Sequence, residues 1–187
     1  ITWRQADMAA REIAGGLADL GVGVGECVCI LAQTRLEWVL CDVGLVLAGA
    51  VSVPIYPSST PEQCASIVKD SGALTAIAED ATQLEKLVPL LAQIPKLRLV
   101  FFEGESNLET AGANGRKTSR LDGVLAAVEK AGGTAPLSLA ALRQAGQAWL
   151  AGHAAELDRR AAEVGPDRAF TIVYTSGTTG QPKGVVL

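Results

Sequence analysis

Histidine is all but missing from this chain. His153 is the only one in 187 residues, and the four cysteines, Cys27, Cys29, Cys41 and Cys64, fall at no metal-ligand spacing. A structural metal centre draws Cys and His ligands from short, regular intervals, so this composition argues against one. Basic residues are also short: 16 Lys and Arg stand against 20 Asp and Glu, for a net charge of −4 and a pI near 5.1. Nucleic acid needs clustered cations to neutralise its phosphates. The one cluster here, Arg116, Lys117 and Arg120, lies in a polar stretch and reads as a solvated loop, so no nucleic-acid partner is expected. A membrane span is missing as well. The stretch Trp38–Tyr56, "WVLCDVGLVLAGAVSVPIY", comes nearest, but Asp42 stands in its helical half. A central Asp costs about 2.5–3.5 kcal/mol on insertion, and the pattern turns strand-like at Gly49. A buried helix followed by a buried strand is the better reading. No secretory leader is recognisable, so the cysteines are expected to be buried thiols in a reducing, cytoplasmic protein. The chain opens on Ile1 rather than Met, in what already reads as a helix start, and is expected to be a segment of something longer.

What the chain does have is apolar content: 49% hydrophobic residues and a mean hydropathy of +0.27, enough for a buried core. Thr2 with Gln5 reads as a capping box opening a helix to about Leu20, closed by Gly21. A strand follows in "ECVCILA" (Glu26–Ala32), and a second capping box, Thr34 with Glu37, opens a helix to about Ala48. "AVSVPIY" is the next strand, and Pro61 suits the first position of a helix to Asp70, stopped by Gly72. Then come a strand in "ALTAIAE", a helix from Ala81 to Gln93, and a strand in "KLRLVFF" (Lys96–Phe102). Alternating helices and apolar strands with short turns predict an α/β fold, a layered and largely parallel sheet flanked by helices. Glu103–Arg120 is polar and rich in Gly and Asn, and reads as a loop. Two helices follow, about Leu121–Ala131 and Ser138–Glu163. The second carries Leu139, Leu142, Trp149, Leu150, His153 and Leu157 on one apolar stripe, with Glu156 and Arg160 paired at i,i+4. "RAFTIVYTS" (Arg168–Ser176) is the last long strand. Three regions result: an α/β layer (1–102), a polar loop with two helices (103–165), and a strand with the loop after it (166–187).

Three features invite a chemical reading. "GVGVG" (Gly21–Gly25) follows a helix and precedes a strand, the reverse of a dinucleotide-binding loop, and is a turn. His153, on its apolar stripe without a second ligand nearby, reads as a partly buried, hydrogen-bonded core histidine. "YTSGTTGQPKG" (Tyr174–Gly184) differs from both. Its glycines let backbone N–H groups surround an anion. Thr175, Ser176, Thr178 and Thr179 add hydroxyls for phosphate or a hard cation, and Lys183 adds a compact positive charge. It is not a Walker A loop, because Pro182 precedes the lysine and "GVVL" after it reads as a strand. The loop is therefore expected to join two strands.

At these residues the chain resembles the AMP-forming acyl-CoA synthetases of the adenylate-forming superfamily. Upstream, "GAVSVPIYPSSTPEQ" is similar to the long-chain fatty acyl-CoA ligase branch, and the resemblance runs over nearly the whole chain. It implies a two-step reaction: a fatty carboxylate attacks the α-phosphorus of Mg-ATP to give acyl-AMP and pyrophosphate, and the CoA thiol then displaces AMP. It further implies that Thr175, Ser176, Gly177, Thr178, Thr179, Gly180, Lys183 and Gly184 make up the ATP site. Lys183 would be catalytic, and Thr175 a ligand to Mg2+. The implied partners are fatty acid, ATP and CoA, together with a C-terminal part of the same protein, since the adenine, ribose and later catalytic motifs are not in these 187 residues. An acid other than a fatty acid, a carrier protein as acceptor, and a non-catalytic nucleotide-binding module are the alternatives. Peripheral membrane contact suits a fatty substrate, although no basic amphipathic helix supports it.

Overall fold

The computed structural model describes residues 1–102, 109–111, 117–176 and 182–187. Helix α1 (Trp3–Asp19) opens on the expected Thr2–Gln5 capping box, and Gly21 and Gly25 of the following turn take positive φ, +83° and +79°. Strand β1 (Cys27–Leu31) leads into α2 (Leu36–Ala48). The capping box expected at Thr34 is absent: Arg35 is the N-cap, with no side-chain cap. Its guanidinium instead holds Glu37, with Nε to Oε2 at 2.6 Å, so that carboxylate is engaged with Arg35 rather than with Thr34. Glu37 is drawn below the usual carboxylate pKa range by that arginine. Gly49 closes α2 with φ +75°. Strand β2 (Val51–Ile55) and helix α3 (Pro61–Asp70) follow, α3 having Pro61 in its first turn and a reciprocal Thr60–Gln63 cap.

Strand β3 is Thr75–Ala78 and helix α4 is Ala81–Leu87. The helix is shorter than the expected run to Gln93. Pro89 lacks an N–H and crowds the residue before it, so the chain tightens into a 3-10 turn at Val88–Leu90. Strand β4 (Arg98–Phe101) comes next. The stretch read as a loop carries a small antiparallel ribbon, β5 (Glu109–Ala111) with β6 (Lys117–Ser119). Helix α5 (Arg120–Lys130), strand β7 (Leu137–Ser138) and helix α6 (Leu139–Ala162) follow, and strands β8 (Ile172–Ser176) and β9 (Pro182–Val186) form a hairpin.

The main sheet has the order β2-β1-β3-β4-β7 and every pairing is parallel. Alternate residues of each strand point to opposite faces. Val28, Ile30, Ile77, Val100 and Phe102 meet Ile13 and Leu17 of α1, Leu45 of α2 and Leu142 of α6. Cys29, Leu31, Val53, Ala76 and Leu99 meet Cys64 and Val68 of α3, Leu84 of α4 and Val128 of α5. Both faces are covered, which is why the strands read as continuous apolar runs. The apolar stretch Trp38–Tyr56 is made of α2 and β2, and among the described residues no helix is long and apolar enough to cross a membrane. Cys29, Cys41 and Cys64 are buried and Cys27 half-buried, all as free thiols. Burial pushes the Cys29 thiol up to about 12.

Helices α1 and α6 approach each other at glycines. A Cβ on Gly146 would collide with the Glu12 carbonyl oxygen, and one on Gly15 would lie 2.8 Å from the Gly146 carbonyl oxygen. Beside this crossing Glu12, 7% exposed, accepts from Arg143 Nε and Nη2 at 2.8 and 2.6 Å and from Gln147 Nε2 at 2.7 Å. On the same helix the Glu156–Arg160 pair is present at 2.7 Å, and Leu142 and Leu157 are fully buried. His153 is hydrogen-bonded as expected but departs from the expectation in its burial. It is exposed, stacks on Trp149 at 4.7 Å between ring centroids, and has Nδ1 2.9 Å from the Trp149 carbonyl oxygen. The helix is broken at this residue (φ −130°, ψ 18°), which shifts the phase of the stripe and turns the imidazole to solvent.

Two outcomes follow from this packing. Gly146→Val should destabilise the protein by about 1–3 kcal/mol or more through overpacking, read as a lower denaturation midpoint at unchanged slope. Cys29 has a raised folded-state pKa, so its contribution to stability is full below the ordinary thiol value of about 8.5. That contribution should fall as pH rises toward 12; a Cys29→Ala variant should flatten the alkaline limb of a stability–pH curve measured by denaturant titration.

Candidate phosphate site

Parallel strands all end at one edge of their sheet, and ligands of open α/β sheets bind at that carboxyl edge. Strand β8 is brought alongside β2 in the same direction: Ser52 and Thr171 form a parallel bridge, the Ser52 N–H donates to the Phe170 carbonyl at 3.1 Å, and Thr171 Oγ1 donates to the Ser52 carbonyl at 2.9 Å. Running on from Thr171, β8 carries Tyr174, Thr175 and Ser176 to the level where β2 ends. The antiparallel register of β8 with β9 then pairs Tyr174 with Gly184, Thr175 with Lys183, and Ser176 with Pro182. The loop therefore joins two strands, as the missing Walker pattern indicated. Directly opposed residues hold their Cβ atoms about 4.5–5.5 Å apart, so the Thr175 hydroxyl and the Lys183 ammonium emerge side by side. Both residues are exposed. Gly177, Thr178, Thr179 and Gly180 lie outside the described residues.

A cavity of about 410 Å³ opens beside this hairpin, lined by Thr175, Pro182 and Tyr174 on one side and by Tyr56, Ser58, Ser59 and Gln63 on the other. The far wall is held by Lys86, whose Nζ donates to the carbonyl oxygens of Pro57 and Ser59 at 2.6 and 3.0 Å. A lysine spent on two backbone carbonyls fixes the loop between β2 and α3 against the sheet edge. Thr175 supplies one hard oxygen at the rim. Mg2+ is usually held by one or two carboxylates plus the phosphates of its nucleotide; the described lining offers the Thr175 hydroxyl and no carboxylate, so the phosphates would have to supply most of the ligands. Among the described residues no group of three or more His, Cys, Asp or Glu is placed to hold a metal.

Two contributors were not visible as site residues in the sequence. Tyr174, 8% exposed, donates its hydroxyl to Asp70 Oδ2 at 2.6 Å, across a separation of 104 residues. Burial, and then the Asp70 carboxylate, push its phenol well above the ordinary value, so it stays protonated as a donor. Gly184 lies under the same side chain: a Cβ there would stand 2.8 Å from Ile172 Cγ2 and 3.1 Å from Tyr174 Cζ. Gly184 thus has a steric reason to lack a side chain. A phenol within an apolar strand, which needs a partner, and an Asp as the last residue of α3, where the helix dipole disfavours an anion, were the available signals.

A helix-covered parallel sheet with a glycine-, hydroxyl- and lysine-bearing hairpin at its carboxyl edge is the architecture of adenylation domains. The match to the AMP-binding enzyme family extends over residues 1–187, and the chain belongs to that family. It is 35% identical over 187 residues to the long-chain-fatty-acid–CoA ligase FadD15 of Mycobacterium bovis, and 30% identical over 189 residues to the long-chain-fatty-acid–CoA ligase ACSBG1 of Homo sapiens. Those alignments take in all of this chain but only 26% and 22% of the relatives, so the chain spans about a quarter of their length. Among solved structures it is similar to the A-PCP didomain of carboxylic acid reductase from Segniliparus rugosus in complex with AMP, with TM-score 0.74 and 21% identity over 100% of this chain and 25% of that one. It is also similar to a long-chain-fatty-acid-CoA ligase, FadD1, from Archaeoglobus fulgidus, with TM-score 0.69 and 23% identity over 100% of this chain and 30% of that one. At these identities the likeness shows the fold.

Gly184→Ala should drive the Tyr174 ring off its strand partner. The expected cost is about 1–3 kcal/mol of stability, seen by chemical denaturation, whereas Gly165→Ala, with nothing within 4 Å of its Cβ, should cost far less.

Proposed function

We propose that this chain supplies the phosphate-gripping hairpin of a long-chain fatty acid–CoA ligase, which joins a fatty carboxylate to AMP at the expense of ATP and passes the acyl group to CoA. The observation that carries the reading is the register that sets Thr175 opposite Lys183 at the carboxyl edge of the sheet, at the two ends of a Gly-Thr-Thr-Gly stretch. Pyrophosphate leaves with several negative charges, and donors already aimed at those oxygens stabilise charge as it builds. Lys183 would pair with the β- and γ-phosphates as a compact cation. Ser176, Gly177, Thr178, Thr179, Gly180 and Gly184 would offer N–H and hydroxyl donors along the same phosphates. Thr175 would give one oxygen to the Mg2+ that accompanies ATP, an ion that neutralises phosphate charge when bound.

The fatty-acid assignment draws on the names of the relatives and on the "YPSSTPEQ" stretch. A second reading, another acid or a carrier-protein acceptor, draws on the fold shared with the carboxylic acid reductase didomain. Because the chain spans about a quarter of its relatives' length, the 187 residues alone are expected not to turn over. A cytoplasmic enzyme with peripheral membrane contact suits a substrate that partitions into bilayers.

Pyrophosphate release by the full-length protein, with ATP and a panel of acids in the presence of CoA or carrier protein, tests these readings. Turnover with palmitate and CoA supports the ligase; ATP binding without turnover on any acid points to a non-catalytic module and overturns it. Robust turnover by the 187 residues alone contradicts the division of labour. Lys183→Ala in the full-length protein should lower kcat by about 100- to 1,000-fold, the usual loss for one preorganised donor to transition-state charge.

A further inference from the structure

We propose that Tyr174 and Asp70 are positioning residues: their hydrogen bond pins the β8–β9 hairpin to the C-terminal end of α3 and thereby sets where Thr175 stands on the cavity wall, with Lys183 as its neighbour across the hairpin. The proposal rests on the reading of the hairpin as the ATP site.

Among the described residues, the ladder that joins β8 to the main sheet is a single bridge, Ser52 to Thr171, at the start of the strand. Four residues further on, where Thr175 must be held, that ladder has stopped. The Tyr174 hydroxyl bond to Asp70, 2.6 Å long, is the tie at this level. It secures both strands at once, because the Tyr174 ring lies against Gly184 of β9, the residue next to Lys183. Asp70 is the last residue of α3, where an anion works against the helix dipole. Its placement is explained by what it accepts from β8 rather than by the helix. The wall opposite the hairpin is fixed independently by Lys86 on the carbonyls of Pro57 and Ser59. The cavity thus lies between two separately anchored segments, and the Tyr174–Asp70 bond sets the gap.

The test compares Tyr174→Phe, Asp70→Ala, Asp70→Asn and the Tyr174→Phe/Asp70→Ala pair in the full-length protein. Two readouts are taken: KM and kcat in pyrophosphate release, and hydrogen exchange of peptides covering 172–176 and 182–186 against 27–31 and 75–78. Tyr174→Phe and Asp70→Ala should each raise KM for ATP by about three- to tenfold, the net worth of one ordinary intramolecular hydrogen bond. KM for the acid should stay unchanged, and exchange should quicken in the hairpin peptides only. Asp70→Asn keeps an accepting oxygen and should restore near-wild-type values, and the double variant should be no worse than either single one. Unchanged exchange and ATP KM, additive losses in the pair, or equal loosening of the β1 and β3 peptides would overturn the proposal. A wild-type protein that releases no pyrophosphate with any acid defeats the ligase reading instead, and the exchange pattern of the same variants then decides the anchor alone.

Discussion

Parallel pairing of β1 with β2 on one side and β3 on the other forces every connection to cross back over the sheet. Helices make those crossings, and they end up on both faces because a parallel sheet left bare on either side would expose its apolar residues. From that constraint the rest follows. The strands become almost wholly apolar, as in "CVCIL" and, after Thr75, "TAIA", and their carboxyl ends collect at one edge. A segment that joins the sheet late, as β8 does beside β2, is delivered to that edge with its polar residues beyond the core. The site is a consequence of direction in the backbone before it is a matter of side chains.

Covering one face takes an unusually close approach. Helices α1 and α6 meet at Gly15, Gly16 and Gly146, with the buried Glu12 held by Arg143 and Gln147 beside the contact. A carboxylate taken out of water is tolerated only with partners of this kind. The crossing keeps α6 flat on α1, and α6 in turn leads through Pro166 into β8, so helix packing and hairpin placement lie on one continuous path of chain. The opposite face does related work with less strain: α3 covers the sheet with Cys64, Ile67 and Val68, and its last residue reaches β8 through Tyr174.

Much of this was legible in the residues. Local chemistry decides a helix start when the cap is self-contained: Thr2 with Gln5, and Pro61 in the first turn of α3, behave as read, and a Thr60–Gln63 cap adds to the second. The Thr34–Glu37 pattern was equally plausible and fails because Arg35 captures the glutamate. Pro89 ends α4 short of the expected Gln93, although apolar residues continue past it. His153 sat at a correct stripe position, but a break in α6 moved it to solvent. Two of these misses turn on geometry, the ion pair of Arg35 and the break at His153, whereas the end of α4 at Pro89 is a local effect.

The sequence by itself determined the class of fold, the order of helices and strands, and the loop whose glycines, hydroxyls and lysine suit phosphate. These are properties of periodicity and of residue chemistry within a few positions, and they do not depend on distant contacts. Tertiary structure alone decided which residues face one another. The pairing of Thr175 with Lys183 depends on hairpin register, the cover over Gly184 on the side chains of Ile172 and Tyr174, and the tie from Tyr174 to Asp70 on two segments 104 residues apart. Contacts across such separations leave no local pattern in a chain, because only the paths of the helices and strands bring the two segments together.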